Sequence, residues 1–217
     1  FLKLRSSLRE WSIMQKLALW LAGGAVAALA AAGVYLALQE PEAPRSPALV
    51  QTGDMEIGGP FELTTQEGAR ITSGKLIDGP TLIYFGYTWC PDVCPVDTQT
   101  MVEATAMLEE RGHEVTPVFI TVDPARDDTE TLAYFADAMH PRMVALTGSE
   151  EEIRAAADAY RVYYDRVEAG DSAAEYLMNH TAYTYFVTPE GVQGVCRNGF
   201  PPEEMACTVA AMLEAGG

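Results

Sequence analysis

The feature that most constrains the fold is an alternation between short apolar runs and longer amphipathic segments, which continues to the end of the chain. Residues 81–85 and 116–122 are apolar enough to be buried strands, and residues 96–110 between them have helical spacing. Strands that alternate with helices of this length are typical of an α/β protein with helices packed on a layered sheet. The sequence therefore predicts one α/β domain over residues 60–217.

The remaining segments mostly extend this pattern. Residues 61–64 and 69–72 flank a Glu67-Gly68 turn and predict a hairpin. Residues 165–178 do not fit the alternation, and we expect an inserted loop there. Further strands are predicted over residues 144–146, 183–187 and 192–195, and further helices over residues 129–139, 150–160 and 202–214.

Residues 17–38 form a run of 22 residues without a charged side chain. As a helix, such a run spans roughly 33 Å, which is enough to cross the hydrocarbon core of a membrane. Residues 1–16 contain four basic residues and one acidic residue, and this bias keeps them in the cytoplasm. We therefore predict a single membrane anchor. A cleaved signal peptide is the alternative, although the apolar core of such a peptide runs to only about 15 residues.

The part of the chain after this anchor is strongly acidic. The formal charge is −17, and residues 1–38 contribute +3, so residues 39–217 carry −20. Such a surface repels nucleic acid and anionic lipid headgroups, which excludes nucleic acid as a partner. Residues 39–59 include a proline-rich stretch and predict an extended linker between the anchor and the domain.

Four cysteines in an exported domain raise the question of pairing. Cys90 and Cys94 come soon after the predicted strand 81–85, and Pro95 is expected to begin the next helix. The N-terminus of a helix favours thiolates, so we expect lowered thiol pKa values here. Two such thiols can chelate a soft metal ion, act as a redox pair or form a structural disulfide. Their spacing alone favours the redox pair.

His180 is the histidine that we expect near these cysteines. It stands at the head of the strand that ends at residue 187. In a parallel sheet, loops at the ends of neighbouring strands lie together, so His180 is expected to face the cysteine loop. A core histidine satisfied by hydrogen bonds is the alternative at this point.

Three motifs resemble the SCO/SenC family of copper proteins, which serve cytochrome c oxidase assembly. They are Phe85-Gly-Tyr-Thr-Trp-Cys-Pro-Asp-Val-Cys-Pro95, Thr121-Val-Asp-Pro-Ala-Arg-Asp127 and Asn179-His180, and the resemblance covers roughly residues 60–214. It implies a thioredoxin-like fold preceded by a single N-terminal transmembrane helix. It also implies one copper ion per chain, Cu(I) or Cu(II), bound by Cys90, Cys94 and His180.

The chemistry of this ligand set agrees with copper, since thiolates suit Cu(I) and imidazole suits either copper state. The resemblance implies a metallochaperone, which is no enzyme in the turnover sense. Its partners would be an upstream copper donor and the copper-site subunit of cytochrome c oxidase. It would sit in the inner membrane with its domain in the periplasm, or in the mitochondrial intermembrane space of a eukaryote.

A thiol–disulfide oxidoreductase that keeps the oxidase cysteines reduced is the alternative function, and a copper or redox sensor is a third hypothesis. Thioredoxins carry a cis-proline about where His180 falls, and its absence argues against a general disulfide reductase.

Several residues near these motifs carry further hypotheses. Asp123 is either a turn residue before a proline or an outer-sphere copper ligand, and Asp92 is a candidate docking contact. Asn179 stands where most members of the family have an aspartate. The family pattern does not require Cys196 and Cys207, which we predict to form a structural disulfide that stabilises the fold by about 3 kcal/mol.

Overall fold

The computed structural model describes four stretches of the chain, which are residues 49–50, 57–91, 93–168 and 175–216. The predicted cytoplasmic segment, the anchor and most of the linker lie outside these stretches. Within them, no helix combines the length and the apolar character needed to cross a membrane.

Ten strands and five helices are present in the described stretches. The strands are β1 (Leu49–Val50), β2 (Glu62–Thr65), β3 (Arg70–Thr72), β4 (Thr81–Gly86), β5 (Thr116–Thr121), β6 (Val144–Thr147), β7 (Tyr164–Glu168), β8 (Tyr176–His180), β9 (Tyr183–Thr188) and β10 (Gly191–Arg197). The helices are α1 (Ser73–Leu76), α2 (Val93–Glu110), α3 (Thr129–Met139), α4 (Glu150–Ala159) and α5 (Pro202–Gly216).

Eight of these strands form a mixed sheet in the order β1-β10-β9-β4-β5-β6-β2-β3. Strand β4 lies in its middle, and all six of its residues are buried. It pairs in parallel with β5, which requires the crossover through α2, and antiparallel with β9. The predicted α/β class is confirmed, and the order β5-β4-β9-β10 is the arrangement that a thioredoxin-like fold requires.

The predicted hairpin is confirmed, because β2 and β3 pair antiparallel around a turn at Gly68. The backbone of Gly68 has a φ of +80°, a conformation that glycine adopts without steric cost. The inserted loop predicted over residues 165–178 is wrong. In its place β7 and β8 form a two-stranded antiparallel ribbon. Four of the five residues of β7 are exposed or half-buried, so the strand lacks the apolar alternation that reveals a strand in a sequence.

Helix α2 carries its apolar face against the sheet and against α5. The predicted face is confirmed, since Met101, Ala104, Thr105 and Leu108 are all fully buried. This packing fixes the N-terminal end of α2 beside the C-terminal end of β4. The loop with the two cysteines joins these two ends.

Candidate metal centre

The two cysteines lie on either side of the start of α2. The helix begins at Val93, two residues before the predicted start at Pro95. The first four N–H groups of a helix have no partner within it, so a proline at the third position costs no hydrogen bond. Cys94 therefore lies in the first helical turn, and its N–H donates to Sγ of Cys90 at 3.5 Å.

A buried carboxylate, Asp127, holds the loop before Cys90 in place. It accepts hydrogen bonds from the Thr88 N–H at 3.0 Å and from the Thr88 hydroxyl at 2.5 Å. The hydroxyl of Thr121 donates to the same carboxylate at 2.6 Å, and burial raises the pKa of Asp127. The sequence analysis assigned Asp127 no role, although the residue closes one of the three motifs.

His180 reaches the cysteines by a different route from the one predicted. It is the last residue of β8, and the chain then enters β9, which runs antiparallel to β4. Because Thr184 pairs with Tyr84 near the end of β4, the start of β9 lies at the edge of the sheet where the cysteine loop begins. The expected proximity is therefore correct, but an antiparallel strand causes it.

The imidazole of His180 is held in one orientation. Its Nδ1–H donates to the carbonyl oxygen of Thr181 at 3.2 Å, and a carbonyl can only accept. In the neutral ring Nε2 then keeps its lone pair, and this atom lies 3.0 Å from Sγ of Cys94. The rings of Tyr84 and Tyr87 contact the imidazole edge-on at centroid distances of 6.1 and 5.9 Å. A metal-binding histidine commonly donates its second N–H to a carbonyl in this way.

Cys90, Cys94 and His180 each offer one ligand atom, and these atoms all lie within 4.8 Å of one another. In the part of the chain that the structure describes, no other group of three histidine, cysteine or acidic side chains comes as close together. Backbone packs tightly against the cluster, since a Cβ at Gly86 would lie 3.3 Å from Sγ of Cys94. Two sulfur donors and one imidazole fit a soft metal ion such as copper.

The thiol of Cys94 is not activated in the way that the sequence suggested. Its hydrogen bond with Cys90, followed by burial, raises the pKa of Cys94 well above the usual cysteine value. Burial likewise raises the pKa of Tyr87 to about 12. The expected lowering of the pKa at Cys94 is therefore wrong. A metal ion that binds its thiolate must displace a proton, which couples binding to pH.

Asp123 lies outside the ligand cluster. One carboxylate oxygen accepts a hydrogen bond from the Tyr176 hydroxyl at 2.8 Å, and the other accepts one from Nε of Arg126. Its backbone carbonyl accepts the N–H groups of Arg126 and Asp127 in the turn that follows β5. The geometry thus gives Asp123 the structural role in a turn that was one of its two predicted roles.

Asp97 is a buried acid beside the centre that the sequence analysis missed. It is 6% exposed and accepts a hydrogen bond from the Tyr84 hydroxyl at 3.2 Å. Burial raises the pKa of Asp97, and the nearby His180 acts in the opposite direction. The sequence did contain a signal, because Asp97 lies one helical turn before Met101 on the apolar face of α2.

Cys196 and Cys207 are both free thiols in the structure, so the predicted disulfide between them is not formed. Cys196 is fully buried on β10, whereas Cys207 is exposed on α5 with its Sγ 3.5 Å from the guanidinium of Arg111. The two thiols thus lie in different environments. Asn179 is exposed on β8, and Asp92 lies outside the described residues.

Comparison with known proteins identifies relatives of this chain. The family model described as SCO1/SenC matches residues 50–214, which is most of the chain. The chain belongs to the SCO1/SenC family. Protein SenC of Rhodobacter capsulatus is 45% identical over 161 residues, which cover 74% of this chain and 72% of that protein.

Solved structures of SCO proteins share the fold. The structure of Arabidopsis thaliana ScoI with copper bound has a TM-score of 0.70 and 35% identity, covering 73% of this chain and 99% of that one. Yeast Sco1 with copper bound has a TM-score of 0.68 and 28% identity, covering 74% of this chain and 90% of that one. The predicted family and its mixed α/β, thioredoxin-like fold are therefore confirmed.

Proposed function

We propose that this SCO1/SenC protein binds one copper ion with Cys90, Cys94 and His180 and delivers it to the copper-site subunit of cytochrome c oxidase. The observation that carries the proposal is the convergence of one ligand atom from each residue within 4.8 Å. Two SCO proteins of the same fold have been solved with copper bound, and the family's association with oxidase assembly supports the destination. In this reading copper is cargo that the protein receives from an upstream donor.

The ligand set suits a cargo that must be released. Two thiolates and an imidazole hold Cu(I) with three donors, and they leave room for a ligand from the receiving protein. The Nδ1–H bond of His180 to the Thr181 carbonyl keeps Nε2 available. Transfer between proteins then needs only an exchange of donors at the centre.

Exposed apolar side chains surround the centre and support a protein partner. Trp89 precedes Cys90, Val96 follows Cys94 by two residues, and both are more than half exposed, at 58% and 61%. Tyr163 pairs through its backbone with Thr181, next to His180, and is 65% exposed. Aromatic side chains of this kind are enriched at the centre of protein interfaces.

We also propose the cellular arrangement that the sequence predicts. Residues 17–38 would anchor the chain in the inner membrane, and residues 39–59 would link the anchor to a periplasmic domain over residues 60–217. A mitochondrial intermembrane space would be the equivalent site in a eukaryote. A reporter fused after Gly217 should then be active outside the cytoplasm, and recovery of a soluble exported protein starting near Ala31 would instead indicate a cleaved signal peptide.

Copper content of the purified, reduced protein tests the ligand assignment. We expect close to one ion per chain, and loss of tight binding in Cys90→Ser and in Cys94→Ser because each removes a thiolate. Cys207→Ser is the matched control, since this exposed cysteine lies outside the cluster and should leave copper content unchanged. Undiminished copper in both of the first two variants would refute the site.

Thiol–disulfide exchange with the oxidase subunit is the second candidate function, because the sulfurs of Cys90 and Cys94 lie within 4.8 Å of each other. His180→Ala separates the two functions, since exchange needs only the two thiols. We expect this variant to lose Cu(II) and to impair oxidase assembly while Cys90 and Cys94 still form and reduce a disulfide. Full assembly in cells despite copper loss would favour the reductase.

A further inference from the structure

Arg126 lies where three segments around the centre meet. Its Nε donates to the carboxylate of Asp123, and its Nη1 donates to the backbone carbonyl of Tyr176 at 3.1 Å. The guanidinium also stacks on the Tyr176 ring at 3.7 Å from the ring centroid. A single side chain thus binds the turn after β5 and the first residue of β8.

Tyr176 also bonds to Asp123, so that Arg126, Asp123 and Tyr176 are all connected pairwise. Its hydroxyl donates to the second carboxylate oxygen of Asp123 at 2.8 Å, so both oxygens of that carboxylate are used. The side chains of Asp123 and Arg126 are only 3% and 18% exposed. Charged hydrogen bonds that are shielded from water are stronger than those at a surface, and it is costly to leave one half-made.

The same guanidinium reaches the cysteine loop. Its central carbon lies 5.7 Å from the centroid of the Tyr87 ring and 5.9 Å from that of Trp89, the residue before Cys90. Tyr87 in turn contacts the imidazole of His180. Arg126 therefore lies against both the loop that carries one ligand and the strand that carries another.

The strand that ends in His180 depends on such contacts. In the described part of the chain, β7 and β8 pair only with each other, and neither pairs with a strand of the large sheet. Side chains must therefore hold this ribbon against the domain. Tyr176 and His180 are the two ends of β8, and their side chains point to the same face because they are four residues apart.

We infer that Arg126 is a positioning residue: it clamps the ribbon of β7 and β8 to the cysteine loop and thereby holds the His180 imidazole beside the thiols. The inference rests on the proposed copper site, but the clamp itself exists without metal. A lysine does not reproduce these contacts, because a guanidinium donates from the edge of its plane while its flat face stacks on a ring, whereas an ammonium has neither a plane nor a face.

Ring-current shifts test the clamp in the reduced, metal-free protein. The His180 ring protons lie beside the Tyr84 and Tyr87 rings, so their proton NMR shifts should differ from those of a free imidazole. We expect Arg126→Lys to lose most of that difference, with His113 and His140 unchanged as internal references. Unaltered His180 shifts in Arg126→Lys would overturn the inference.

Arg166→Gln is the matched control. Arg166 stacks on the same Tyr176 ring at 3.4 Å, but it belongs to the ribbon itself. Its loss removes an equivalent cation–π contact without releasing the ribbon from the domain, so the His180 shifts should stay as in the natural protein. Equal changes of the His180 shifts in Arg126→Lys and Arg166→Gln would mean that stacking on the Tyr176 ring alone positions His180, which would overturn the clamp.

A double-mutant cycle links the clamp to copper. If Arg126 acts through His180, Arg126→Lys should weaken Cu(I) binding at least tenfold in the natural protein and less than twofold in His180→Ala, which keeps both thiols as ligands for Cu(I). Equal losses in both backgrounds would overturn the positioning role. Should the protein bind no copper, the proposed function fails, whereas the NMR result still decides the clamp.

Discussion

At the scale of single residues, three buried acids hold the residues that surround the candidate metal ligands. Asp127 holds the cysteine loop through Thr88, Asp97 binds the Tyr84 hydroxyl, and Asp123 binds Arg126. Each has hydrogen-bond donors around it, as a carboxylate must when it is removed from water. Together these three carboxylates fix the residues that surround the imidazole of His180 and the two thiols.

Gly86 offers a sharp test at this scale. A Cβ there would lie 2.7 Å from the Tyr84 ring and 3.3 Å from Sγ of Cys94. We expect Gly86→Ala to lower the free energy of unfolding by about 1–3 kcal/mol, as overpacking does, and to weaken copper binding.

Gly74→Ala is the control for this variant, because a Cβ at Gly74 meets no atom within 4 Å. It should be neutral or stabilise by about 0.4–1 kcal/mol, since alanine restricts the unfolded chain. Urea denaturation and a competitive copper titration measure both effects. Equal stability of the two variants would contradict the packing argument.

At the scale of elements, the start of α4 shows how local sequence fixes a boundary. Ser149 and Glu152 form a reciprocal capping box, in which the Glu152 carboxylate accepts the Ser149 N–H at 2.8 Å. Arg70 on β3 donates to the same carboxylate at 2.6 Å. The bond from Arg70, followed by that from the Ser149 backbone, lowers the pKa of Glu152 to about 2.

This lowered pKa predicts a dependence of stability on pH. A group with a lower pKa in the folded state stabilises the fold above its usual pKa, and that contribution is lost as the pH falls towards the folded value. We expect Glu152→Gln to cost about 1 kcal/mol or less at pH 7, because the side chain is a third exposed. Urea unfolding should show this difference vanishing between about pH 5 and pH 2. A difference that persists at pH 2 would exclude the carboxylate as its source.

At the scale of the whole molecule, the centre joins segments that are far apart in the chain. Cys94 and His180 are in contact although 86 residues separate them. An unfolded chain cannot present such a site, so a metal that binds the site stabilises the fold by mass action.

Copper should therefore raise the free energy of unfolding of the reduced protein. At a free copper concentration of 100 times the dissociation constant, we expect a gain of about 2.7 kcal/mol. Calorimetry with a copper buffer measures it. The gain should persist in Cys207→Ser and largely disappear in His180→Ala, and an equal gain in His180→Ala would place the copper elsewhere.

The sequence by itself determined most of the elements of the large sheet and its helices, and the identity of the clustered residues. The burial of β4 and the apolar face of α2 follow from the spacing of apolar residues along the chain, which is why both were predicted. The Cys90 and Cys94 pair and His180 were recognisable because their motifs keep the order and spacing of a family. These features depend on residues that are close together in the chain.

Only the tertiary structure decided how those residues meet. The antiparallel direction of β9, the ribbon that carries His180, the free thiols of Cys196 and Cys207, and the raised pKa of Cys94 escaped prediction. Strand direction depends on which distant strand becomes the neighbour, and a pKa depends on burial and on side chains that folding brings close. The contacts of Arg126 with Tyr176, 50 residues away, exist only because the chain is folded, and no local pattern records them.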